Sequence, residues 1–150
     1  MINGNEILDL MYKPMYNDDV LNMMEKLGMK IPELDEKYQL EEIVDSATDD
    51  GTIDFEFSEL NGYSKDGIPS LSKIEIVRSK LSSLPFDISD NDNYDICCKK
   101  IGEEGHKVRR ATARRWEITL NNLKLLVVIN FSSEQLEEIS FLQVFENIEE

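Results

Sequence analysis

The amino-acid sequence predicts an α+β fold, with two or three helices packed on one face of an antiparallel sheet of five to seven strands. Three observations carry that prediction. Ile53, Phe55 and Phe57 alternate with Asp54, Glu56 and Ser58, the period-two pattern of a strand buried on one side. Val20, Met23, Met24 and Leu27 recur at helical spacing between a cap at Asn17 or Asp18 and a stop at Gly28. Leu123 to Phe131 is an apolar run of strand length, which suits a central position in a sheet. The 150 residues suit a single domain, 1–150, and a hydrophobic fraction of 41% is enough to build one core.

Taken in order, Asn5 to Tyr12 offers a short helical face that Pro14 ends. The helix after Asn17 has Asp18 and Asp19 at its positive end. Tyr38 to Asp45 fits a helix or a strand equally. Asp49-Asp50-Gly51 is a turn before the alternating strand at Ile53. Asn61 to Ser70, with Gly62, Gly67 and Pro69, reads as a loop, and Leu71 to Arg78 as a strand through Ile74 and Ile76. Ser82-Ser83-Leu84-Pro85 breaks the pattern, and Asp90 to Asn93 caps a helix from Tyr94 to Ile101, stopped by Gly102. A strand begins at Trp116, a core anchor. Asn121-Asn122 turns into Leu123 to Phe131, and Leu136 to Val144 is the last strand.

One offset, 74 residues, lays Met23 to Gly28 on Cys97 to Gly102 and Ile53 to Phe57 on Val127 to Phe131. One insertion later, Leu71, Ile74 and Ile76 fall on Leu136, Ile139 and Phe141. The expectation is two α-β-β(-β) half-repeats, 15–80 and 84–145. Neither would bury enough surface alone, so they would share one sheet.

The formal charge is −15, from 31 acids and 16 bases. Such a chain repels phosphate backbones and anionic membranes, which disfavours direct nucleic-acid or membrane binding. Residues 33–59 hold 11 acids and one base, Lys37. A basic partner would relieve their mutual repulsion and be steered in quickly. The candidate partner-binding residues are Glu33, Asp35, Glu36, Glu41, Glu42, Asp49, Asp50, Asp54, Glu56 and Glu59. Residues 99–115 are the exception, with seven bases and two acids; they suit contact with a phosphate or an acidic partner, but internal neutralisation or exposure to solvent is the plainer role.

No metal or cofactor is expected. The lone His106 and adjacent Cys97 and Cys98 lack spaced ligand pairs, and the cysteines read as core filling. The Asp45 to Glu56 stretch is no calcium loop, because Gly51 as sixth position puts Ser46 first and Phe57 twelfth. Phosphate-binding, nucleophile-elbow and zinc-protease motifs are absent, so no enzymatic activity is expected. Asn130-Phe131-Ser132 fits a glycosylation acceptor only formally, since it lies within a strand. Met1 to Leu10 has neither a basic nor an apolar leader region, so the expected location is the cytoplasm.

The run Leu84 to Ser89, the helix ending Lys100-Ile101-Gly102, Trp116, and the strands Leu123 to Phe131 and Leu136 to Phe141 resemble a recurring bacterial pattern. It is that of small immunity and inhibitor proteins of polymorphic and contact-dependent toxin systems. Some are similar to tandem helix-plus-hairpin inhibitors of the β-lactamase inhibitor protein type. The resemblance implies a cytosolic protein that binds one cognate toxin domain and blocks it. The acidity implies that this domain is basic and nuclease-like. The alternative is another acidic binding module, such as a secretion chaperone, an adaptor or a nucleic-acid mimic.

Overall fold

Local chemistry sets the helix ends in the computed structural model, which describes residues 1–35, 37–77 and 81–148. Helix α1 (Gly4–Leu8) opens with a capping box. Asn3 accepts from the N–H groups of Asn5 and Glu6, and the Glu6 carboxylate accepts from the Asn3 N–H at 2.9 Å. It stops short of Tyr12, which takes a left-handed φ of 73° and gives its N–H to the Leu71 carbonyl. Helix α2 (Asp18–Lys26) is capped by Asn17 and followed by Gly28 at φ 71°. Helix α3 (Tyr94–Ile101) is capped by Asn93 and closed by Gly102 at φ 105°. Before it, Pro85–Asp87 forms a tight turn in which Phe86 and Asp87 take left-handed φ values of 66° and 59°.

The described residues form seven strands: β1 (Val44–Ala47), β2 (Ile53–Ser58), β3 (Ser70–Val77), β4 (His106–Lys107), β5 (Ala113–Leu120), β6 (Leu123–Phe131) and β7 (Ile139–Glu146). They form one sheet in the order β1-β2-β3-β7-β6-β5-β4, with every neighbouring pair antiparallel. Asn121 and Asn122, at φ 52° and 66°, make the two-residue turn between β5 and β6. The ambiguous stretch before Asp45 resolves into turns and then β1. The apolar run of β6 is interior, but β7 is the middle strand. The last strand starts at Ile139 rather than Leu136, because Leu136 sits in a turn at φ 56°. The short β4 carries no apolar alternation and was not foreseen.

One core lies on one face of this sheet. Phe55, Phe57, Leu71, Ile74, Ile76, Trp116, Val127, Ile129, Leu142 and Val144 point into it and are almost wholly buried. They join Ile7, Met11, Val20, Met24, Ile88 and Cys97 from the helical layer in a single cluster. Trp116 anchors its end: Nε1 donates to the Glu103 carbonyl at 3.0 Å. Gly105 lies so close to the indole that a Cβ there would stand 2.8 Å from Cε2.

The half-repeat is not confirmed. Its third match fails: Ile76 is in the core, whereas Phe141, paired with Val77 and Asn130, is on the opposite face. A register shift between Asn130 and Phe131 puts Ile139 and Phe141 on different sides. No helix among the described residues is long and apolar enough to cross a membrane.

Candidate functional site

Among the described residues no helical layer lies on the other face of the sheet, and strand alternation decides what that face presents. Reading across the register, one row runs Asp45, Glu56, Lys73, Phe145, Leu126, Glu117. The next runs Ala47, Asp54, Glu75, Gln143, Val128, Arg115, His106. A third runs Val77, Phe141, Asn130, Ala113. Carboxylates therefore crowd β1 to β3, a half-buried apolar band occupies the middle, and Arg115 stands on β5 beside Glu117.

At the acidic end, Asp45 faces Glu56 and Asp54 faces Glu75 directly across neighbouring strands. Like charges so placed destabilise a sheet. The Asp54 carboxyl is held above the usual range, first by burial, then by Asp45 and Glu75, with Lys73 opposing and Glu56 adding. Its Oδ1 is buried without a hydrogen-bond partner. Relief is slight. Lys73 Nζ lies 4.0 Å from Glu56 Oε2 and 5.3 Å from the centre of the Phe145 ring. Gln143 Nε2 donates to Glu75 Oε1 at 2.9 Å.

The predicted acidic residues divide into separate groups. Asp54 and Glu56 are on the open face. Asp49 and Asp50 lie in the β1–β2 turn, where Asp50 Oδ1 accepts from Thr48 Oγ1, Thr52 N–H and Thr52 Oγ1. Glu33, Asp35, Glu41 and Glu42 are exposed in the irregular connection from α2 to β1. Glu41, Glu42 and Glu59 gather around Tyr38, whose hydroxyl is pushed up by burial and then by these charges. Glu36 lies outside the described residues. Sequence reasoning missed Glu75, although it alternates with Ile74 and Ile76. It also missed the apolar band, whose signal is that β6 and β7 are apolar on both faces.

The basic segment is only partly consumed internally. Lys100 pairs with Asp92 at 2.6 Å. Arg114 donates to the Ala111 and Ala113 carbonyls and stacks over Tyr94, and Arg115 lies 3.7 Å from Glu117. Arg109 and Arg110 are exposed and belong to none of the ion pairs among the described residues. They border a pocket of about 410 Å³ with Val108, Ala113, Val128, Asn130, Phe141 and Gln143. A second pocket, about 630 Å³, lies at the sheet's end beside the Tyr12–Tyr63 ring pair. There the Tyr12 hydroxyl ties the Lys124 carbonyl to the Asn147 N–H.

Cys97 is buried in the core and its thiol is pushed up to about 12, mainly by burial. Cys98 is half-buried beside it. Among the described residues no group of three or more His, Cys, Asp or Glu is arranged to hold a metal ion. No protein-family model, no curated protein and no solved structure matches the chain.

Proposed function

We propose that this chain is an immunity-type inhibitor that binds and neutralises a cognate, basic, nuclease-like toxin domain in the cytoplasm through its acidic surface. The observation that carries this reading is the opposition of Asp45 to Glu56 and of Asp54 to Glu75 on an uncovered sheet face. Their repulsion, with the unpartnered Asp54 Oδ1, disfavours the free protein and is relieved when a cationic surface docks. The adjacent band of Phe141, Phe145, Leu126 and Val128 supplies apolar contact that a charged patch alone lacks. Glu33, Asp35, Glu41, Glu42, Asp49, Asp50 and Glu59 lie outside that face and act at longer range, steering the partner in.

The same apolar band suits the alternative, an acidic adaptor or secretion chaperone. The test is capture of partners from the native host by the full chain, at low and high salt, read by mass spectrometry. One basic toxin-like domain, near stoichiometric and released by salt, is the expected result. Capture of several partners without basic surfaces, or of none, overturns the inhibitor reading.

A further inference from the structure

We propose that the pocket beside Arg109 and Arg110 receives an aspartate or glutamate side chain of the protein partner, so that the open sheet face reads that partner at two points of opposite charge. The inference rests on the proposed function for a protein partner whose basic surface meets the acidic end of the face. It is carried by three observations.

The first is charge placement. The chain has 31 acids for 16 bases, yet Arg109 and Arg110 stand together without a carboxylate partner among the described residues. Internal neutralisation, the plainest reading of the basic segment, leaves these two unused. The second is the pocket itself, about 410 Å³, with a floor of Val128, Phe141 and Ala113. An apolar floor excludes water and strengthens a charge pair formed above it. A guanidinium fork matches a carboxylate through two parallel N–H bonds. The third is preorganisation. Asn130 is buried, and its Oδ1 accepts from Thr112 Oγ1 at 3.0 Å and from Arg110 Nη1 at 3.4 Å. The same amide donates from Nδ2 to the Phe131 carbonyl at 3.2 Å. The bonds from Thr112 and Arg110 hold the basic loop against the sheet before any partner arrives.

A net charge of −15 disfavours a polyanion such as nucleic acid at this pocket. One carboxylate on an otherwise basic protein does not meet that barrier. Three or four strand spacings separate β2 from β6 and β5. The partner's carboxylate should therefore lie about 14–19 Å from the cation that meets Asp54.

The test is an NMR titration of the full chain with the capped peptide acetyl-Val-Glu-Val-amide, against its Gln analogue, sodium acetate and inorganic phosphate. The expected result is saturable shifts centred on Val128, Asn130 and Phe141, at least fivefold weaker with the Gln peptide and with Arg109→Ala. Arg109 makes none of the loop's hydrogen bonds to Asn130, so that variant keeps the loop in place. Arg109→Lys should restore binding only in part. Equal shifts from both peptides, or shifts unchanged in Arg109→Ala, overturn the proposal. So does acetate or phosphate binding at the pocket as tightly as the Glu peptide, which would make it a site for free small anions. The anionic peptide reads the arginine end alone. Failure of the acidic-end reading appears separately, in partner capture by the Asp54→Asn/Glu56→Gln variant.

Discussion

The two ends of the open sheet face carry opposite charge and reach it by different means. At β1 to β3 the carboxylates project from regular strands, and each is fixed by alternation: with Ile53, Phe55 and Phe57 in the core, Asp54 and Glu56 have no other side to take. Between β4 and β5 the guanidinium groups of Arg109 and Arg110 come from a loop, held by the buried Asn130 amide and by the Phe131 N–H on the Thr112 carbonyl. The acidic end is therefore rigid and self-repelling, whereas the basic end is placed by a tertiary contact and is unopposed. Charge built on strands is durable but costs stability, and charge built on a pinned loop is less costly but depends on its pin.

The largest expected effect tests whether the acidic end drives association. Converting Asp45, Asp54, Glu56 and Glu75 to Asn or Gln should slow association with the captured partner by about tenfold or more and flatten its salt dependence. Rapid-mixing kinetics at several ionic strengths checks this. Unchanged kinetics would move the interaction off this face altogether. The same four changes at Glu33, Asp35, Asp49 and Glu59 should have a smaller effect, confined to low salt, because these groups lie outside the face.

A smaller effect, on stability, tests the other end. Asn130→Ala removes a buried amide and leaves the Thr112 hydroxyl without its partner, so unfolding free energy should drop by about 1–3 kcal/mol. Urea denaturation measures it, and a drop of only a few tenths would mean that the loop is held by something else. Arg109→Ala, which breaks none of these bonds, should leave the urea midpoint unchanged.

The same contrast governs what was legible in the sequence. The α+β class, the caps at Asn17 and Asn93, the Gly28 and Gly102 stops, β2 and the Asn121-Asn122 turn all follow from local chemistry, and the structure has them. Asp54 and Glu56 on a polar outer face were legible for the same reason. Which acids share that face was not, because Glu75 joins Asp54 only through the β2–β3 register. A count of charges along the chain grouped Glu33 and Glu41 with Asp54, which the fold separates. The Arg109–Arg110 pocket was invisible, since its pin, Asn130, lies 20 residues from Arg110 on another strand. The third half-repeat match failed for a related reason: the register shift at Asn130 and Phe131 reverses the side on which Phe141 emerges.

The smallest effect separates function from stability at a single atom. The Asp54 carboxyl is raised above its ordinary value by burial and by Asp45, Glu75 and Glu56, so over a window of pH the folded chain holds a proton that the unfolded chain has released. Stability conferred by that proton falls as pH rises through the window, and above the window the folded state bears the full repulsion. Asp54→Asn should therefore stabilise the chain at pH 7 by about 0.2–1 kcal/mol, the scale of one like-charge cross-strand pair. For a chain of this size that is a gain of up to about 4 °C in Tm. The margin should close as pH falls below the raised value, where the native carboxyl is also neutral. Scanning calorimetry of both proteins from pH 7 to pH 4 checks the sign. A variant less stable than its parent at pH 7 would mean that Asp54 is satisfied in the free protein, and the acidic end would lose its strongest reason to seek a cationic partner.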